Sequence, residues 1–165
     1  SIYFAIFSSH LTYGSIIWGQ SSSSRNVKRI LRLQKRALRI ISFANYRDHA
    51  SPLFKNLSIL KIFDHIKFQN ILFVYDSLNN RLPAILNKLY TYSKDIHSQN
   101  TRDASQLKLS LPKVETSMHG LNSIEYQSIK DWNKMIDENP PLILQDLPRS
   151  KIKTIIINYL LNTYS

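Results

Sequence analysis

The sequence predicts a mainly α fold with room for one short β element. Three glycines in 165 residues are too few for the tight turns of a hairpin-rich β protein. Apolar residues recur at helical spacing along most of the chain. Start signals, a hydroxyl or amide side chain followed by proline or by an apolar-periodic run, precede several of these stretches. With 43% hydrophobic residues and no cysteine, the chain can bury a core without disulfides, and zinc fingers, zinc knuckles and cysteine nucleophiles are excluded.

Taken in order, Ile2 to about Trp18 sets Phe4, Phe7, Leu11, Ile16 and Trp18 among small and hydroxyl residues and reads as helix. Gln20–Ser24 is a polar linker, with Ser24 or Asn26 as the expected cap of a second helix, Asn26–Phe43. Ser51 followed by Pro52 opens a short helix through Leu57. Phe63–Leu78 is a strong helix with Ile66, Leu72 or Phe73, and Tyr75 on one side. Asn79–Asn80 stops it, and Pro83–Tyr90 restarts a short one. Thr91–Ser105 is polar. Gln106–Leu111 alternates Leu107, Leu109 and Leu111 with polar residues, a strand pattern. Ser123–Met135 is helical, and Pro148 precedes a last helix, Lys151–Tyr164, with Ile152, Ile155, Ile156, Tyr159 and Leu160 on its apolar face. Trp18 and Trp132 lie in apolar helical settings and are expected in the core rather than as stacking platforms for bases.

Charge is the most directional feature. The formal net charge is +11, which biases partners toward nucleic acid or an anionic membrane surface. Arg25 to Arg47 holds eight lysines and arginines, and no acidic residue precedes Asp48. At about 100° per residue, Val27, Ile30, Leu31, Gln34, Ala37, Leu38 and Ile41 share one face of the Asn26–Phe43 helix. Lys28, Arg32, Lys35, Arg36 and Arg39 line the opposite face, with Arg25 and Arg29 on its flank. A stripe of this density suits phosphate, since binding releases several counterions. A merely solvated face usually mixes Glu with Lys at i,i+4, and this one has no Glu. An acidic protein surface is the competing partner. Lipid is a weaker one, because the apolar face lacks the Trp and Leu density of a membrane-surface helix. No membrane span is expected, since the apolar Ile2–Trp18 stretch is interrupted by Ser8, Ser9, His10, Thr12 and Ser15.

Chemistry is harder to find. The carboxylates, eleven in all, are scattered, and none pairs with another in a strand-like apolar context as a two-metal site requires. There is no glycine-rich phosphate loop. Asp48–His49 and Asp64–His65 are adjacent pairs, which do not bring two donors to one helix face, so both read as surface or local hydrogen-bonding residues. Asp95, His97, Thr101 and Arg102 form a polar knot that reads as a hydrogen-bonded loop, the alternative being a phosphate contact through His97 or Arg102. No catalytic residue and no metal ligand are assigned.

Tyr3–Gly19, YFAIFSSHLTYGSIIWG with its H-L-x-Y-G-x-x-x-W-G tail, is followed by LQKRALRII (Leu33–Ile41), SPLFKNLSILKI (Ser51–Ile62), HSQNTR (His97–Arg102) and SIEYQSIKDWN (Ser123–Asn133). In this order, and with the closing amphipathic helix, the motifs resemble the region just after the polymerase palm in non-LTR retrotransposon reverse transcriptases, nearest the jockey- and CR1-like LINE elements. The resemblance covers essentially the whole chain. It implies the thumb and C-terminal extension of an RNA-directed DNA polymerase: a thumb-like region over 1–90 and an extension over 91–165 packed on it as one unit of a longer polyprotein. The implied partners are template RNA or an RNA–DNA duplex and the upstream palm domain, in a protein of the nucleus and cytoplasm. The family's F/Y-x-D-D motif, whose carboxylates hold the polymerase's Mg, and its endonuclease residues lie N-terminal to this region, so the resemblance implies no cofactor and no catalysis for the chain itself. The cysteine-rich knuckle of some relatives is missing, and Lys134–Met135 follows Trp132–Asn133 where better-kept members have Leu-Pro, a departure in keeping with a decayed or truncated copy.

Overall fold

A computed structural model describes residues 3–20, 25–96, 107–116, 120–138 and 147–164, and the fold is mainly α. A π-helical turn over Tyr3–Ser8 leads into α1 (Ser9–Thr12) and α2 (Ser15–Trp18). The basic helix α3 spans Arg25–Ile41, followed by α4 (Ser51–Asn56) and the long α5 (Ile62–Leu78). Short helices α6 (Ala84–Asn87) and α7 (Ser93–Ile96) precede α8 (Ile124–Glu138) and α9 (Arg149–Asn162).

The first segment is not the continuous helix its composition suggests. Ser9 Oγ returns to the carbonyls of Ala5 and Ile6, and Thr12 Oγ1 to that of Ser8, local bonds that compete with a regular ladder. Tyr13 then turns extended (ψ 112°) and Gly14 left-handed (φ 63°). Gly19 is fixed differently: a Cβ there would stand 2.5 Å from the Ser15 carbonyl and 2.7 Å from Ile66 Cγ1, so α5 packs directly on bare backbone. Trp18 is a second correction. It is 39% exposed and spends its indole N–H on the Tyr13 carbonyl, 3.0 Å away.

Three helices end on one hydrogen-bonded turn, and none uses glycine there. After α3, Phe43 N–H reaches the Ile40 carbonyl and Ala44 N–H the Arg39 carbonyl; Ser58 and Ile59 repeat this after α4, and Asn80 and Arg81 after α5. The left-handed residues are Phe43, Ser58 and Asn80, at φ 50°, 51° and 55°. This is the Schellman arrangement, which satisfies the last carbonyls of a helix. Helix starts differ from expectation in detail. Asn26 lies inside α3 and Ser24 outside the described residues. Ser51 is the first residue of α4, whose cap position is Ala50 with no side-chain bond. Ser123 does cap α8, accepting the Tyr126 N–H at 3.2 Å.

No strand forms among the described residues. Tyr92 and Leu109 make a single antiparallel bridge, so the alternation at Gln106–Leu111 misleads. Asn133 on α8 takes both backbone groups of Leu109, its Oδ1 accepting the amide at 2.9 Å and its Nδ2 donating to the carbonyl at 2.8 Å. Across the bridge only Lys108 and Ser110 bond, to Ser93 and Thr91, and Leu107 breaks the extended run at φ 56°.

Two compact units result, Ser1–Ile66 with Ile157–Ser165 and Lys67–Ile156. In the first, Tyr3, Leu38, Ala50, Phe54, Ile59 and Tyr164 form one buried cluster; Leu11, Val27, Ile62 and Ile66 form another. In the second, Ile71, Val74, Tyr75, Tyr90, Leu109, Ile129, Trp132 and Ile152 are buried. Helix α5 is buried on more than the one face its pattern suggests, and its polar residues there are paired, as buried polar groups must be. Asn70 Nδ2 donates to Asp131 at 2.8 Å, and Ser77 Oγ donates to the Leu86 carbonyl. Asp76 takes a bidentate bond from Arg149 at 2.8–3.1 Å, the geometry that makes Arg–carboxylate pairs strong. Burial raises Asp131 above the usual carboxylate range and pushes the Tyr90 phenol, bonded to Ser128 Oγ at 2.7 Å, up to about 12.

Candidate nucleic-acid interface

Helix α3 belongs to the first unit, and one buried amide fixes its rotation. Gln34 is 0% exposed. Its Nε2 donates to the Tyr3 hydroxyl and to the Leu60 carbonyl, both at 2.7 Å, while Oε1 accepts the Ile62 N–H at 3.0 Å. Ile62 opens α5, so Gln34 satisfies one of the orphan amides of that helix start. With Val27 and Leu38 also buried, the apolar face read from periodicity is the face that packs.

The opposite face is correspondingly open. Arg25, Lys28, Arg29, Arg32 and Arg36 are exposed; Lys35 and Arg39 are half-buried. Among the described residues the ion pairs lie elsewhere, at Asp76 with Arg81 and Arg149, at Lys108–Asp137 and at Lys134–Glu138. From Arg25 to Arg39 the cations cover about 21 Å at ~1.5 Å per residue, roughly the rise of six successive nucleotides of one strand. Arg39 is partly committed to its neighbourhood. Its Nε donates to the Asp48 carbonyl at 2.9 Å, and its guanidinium lies 6.0 Å from the centre of the Tyr46 ring.

Periodicity does not disclose the turn that follows. Phe43 and Tyr46 are 98% and 84% exposed, Arg47 is exposed, and the Asp48 carboxylate is turned onto the Asn45 amide at 2.8 Å. Leu33 and Ile40 are also exposed, on the flank of the cationic face beside Arg29 and Arg36. Of the two Asp–His pairs, Asp64–His65 is engaged within the fold. Asp64 accepts the Tyr164 hydroxyl at 2.7 Å, and the same hydroxyl receives the Lys61 N–H. Burial lowers His65 to about 4, and its Nε2 lies 3.4 Å from Thr12 Oγ1. A recess of about 240 Å³ bordered by Ser51, Lys55, Lys61 and Tyr164 is basic, but the Lys61 ammonium already sits 4.2 Å from the centre of the Tyr164 ring.

Trp132 is 4% exposed and part of the core of its unit, as its helical setting predicts. The His97–Arg102 motif lies outside the described residues. Among the described residues no three His, Cys, Asp or Glu side chains gather as a metal site would require, and no helix is long and apolar enough to cross a membrane. No family model matches the chain, and neither the curated proteins nor the solved structures contain a match to it.

Proposed function

We propose that this chain is a non-catalytic post-palm segment of a non-LTR retrotransposon reverse transcriptase, and that α3 holds template RNA or RNA–primer duplex by the phosphates. The observation that carries the nucleic-acid part is the open cationic face of α3, set on a helix whose rotation Gln34 fixes. The polymerase part rests on the sequence motifs. Contacts of this kind position a duplex and do not read its sequence. A-form duplexes are bound mostly by shape and backbone, because their deep groove does not admit side chains.

The test is the salt dependence of binding to an RNA–DNA hybrid, read by fluorescence anisotropy. Four phosphate contacts would give log K against log salt a slope of about −3 to −4. Changing the exposed Lys28, Arg32 and Arg36 to Gln should flatten it by about 2 to 3 and weaken hybrids of different sequence equally. Anionic vesicles and an acidic polypeptide should compete poorly. A slope near zero, or an unchanged slope in the triple variant, refutes the reading. Displacement by the acidic polypeptide at concentrations where hybrid competes would favour a protein partner instead.

A further inference from the structure

Resting on that reading, we infer that the Phe43–Asp48 turn at the C-terminal end of α3 is a stacking site for unpaired nucleotide bases. The chain would then grip a strand with its backbone along α3 and its bases on Phe43 and Tyr46. Among the described residues, three helices end on a left-handed residue, and two place Ser58 and Asn80 there. These are small polar side chains, and Asn in particular tolerates that conformation. The third places Phe43, a bulky residue for which positive φ is a genuine outlier. A strained residue normally recovers its cost through packing, but Phe43, 98% exposed, has only the turn hydrogen bond to Ile40 and buries no side chain. Backbone strain of this kind clusters at ligand-binding sites, and the open ring is free to make such a contact.

The surroundings specify the kind of ligand. Tyr46 presents a second open ring three residues on, with the Arg39 guanidinium 6.0 Å from its centre. Arg47 is exposed, and the one carboxylate of the turn, Asp48, is held on the Asn45 amide. Aromatic faces interleaved with cations, continuous with a phosphate-binding stripe, are how proteins take up single-stranded nucleic acid without sequence preference. Along an intact duplex the bases are stacked on one another, and only the terminal pairs are open to these rings.

The experiment compares the 165-residue chain with Phe43→Gly, Tyr46→Leu and the double variant on three probes of equal length. The probes are an unstructured single-stranded RNA, the same strand with abasic sites, and a blunt RNA–DNA hybrid. Phe43→Gly removes the strain, so its melting temperature should equal or exceed the parent's, and lost binding cannot come from misfolding. Each substitution should weaken the single strand by about tenfold and the hybrid by less than about twofold, with the salt slope unchanged. The abasic strand should bind the parent as weakly as the intact strand binds the double variant. Equal single-strand affinity in parent and double variant, or equal losses on strand and hybrid, overturns the proposal while leaving phosphate binding by α3 intact. Failure of the parent to bind any probe removes both readings. Poly-glutamate that displaces the strand from the parent but not from the double variant would make the turn's partner an acidic protein surface, which also overturns the proposal.

Discussion

Replacing Gln34 by leucine tests whether the basic helix is held by polar contacts or only by its apolar neighbours. The substitution keeps the volume and removes three hydrogen bonds, two donated at 2.7 Å and one accepted at 3.0 Å. Each is worth about 1 kcal/mol net when both partners otherwise return to water. Here they do not, because the Ile62 amide and the Tyr3 hydroxyl belong to buried residues, and leaving a buried group unpaired costs about 1–3 kcal/mol. Leucine's apolar burial returns about 1–2 kcal/mol. With the bond to the Leu60 carbonyl also lost, the balance is a loss of about 1–6 kcal/mol. In urea, followed by circular dichroism, the midpoint should fall by about 0.5–3 M for an m-value of about 2 kcal/mol/M. Nucleic-acid affinity of the folded variant should not change, since Gln34 has no exposed surface. A cost below about 1 kcal/mol would mean that the three contacts contribute little and that apolar packing alone sets the orientation of α3.

Two further outcomes are expected. His65 titrates at about 4 in the folded chain because burial disfavours its charged form, against about 6.5 unfolded. The unfolded state therefore binds more protons between those values, so this group's contribution is complete above pH 6.5 and is lost as pH falls toward 4, by up to about 3 kcal/mol. His65→Gln should flatten the stability profile in that window; a profile as steep as the parent's would assign the loss to carboxylates. Trp132→Ala should cost about 3–5 kcal/mol as a large-to-small core change, and Trp132→Phe far less, since phenylalanine also removes a buried indole N–H that has no hydrogen-bond acceptor. Unchanged stability with lost RNA affinity in Trp132→Ala would instead make this residue a stacking platform.

Legibility of the sequence followed the physics of each signal. Helix α3 was readable face by face because its apolar period is strong and its cations exclude every acidic residue. Gln34 sat on the predicted packing face, but its three partners, thirty-one and fewer than thirty residues away, leave no trace in local periodicity. The end of α5 was readable from Asn79–Asn80. Its burial was not, since Asn70, Asp76 and Ser77 look solvated until Asp131, Arg149 and Leu86 are brought to them by the fold. Alternating leucines at Gln106–Leu111 gave a false strand because periodicity reports where side chains point and not who takes the backbone hydrogen bonds. There Asn133 takes those of Leu109, and only Lys108 and Ser110 bond to the Thr91–Ser93 backbone.

The motifs that carry the family resemblance turn out to be mostly structural in this chain. In the Tyr3–Gly19 motif, Tyr3 and Leu11 are buried, Gly14 makes the left-handed turn, Trp18 closes it through the Tyr13 carbonyl, and Gly19 admits Ile66. In Trp132–Asn133, the indole fills the core and the amide clamps Leu109. Residues of this kind maintain a platform whatever is mounted on it, so a likeness resting on them speaks to fold sooner than to activity. Function rests instead on residues that the fold does not need: the open cations of α3 and the two aromatic rings beyond its end. Substituting those while leaving the structural residues alone separates the two kinds of claim. Binding should change with the first set, and melting with the second.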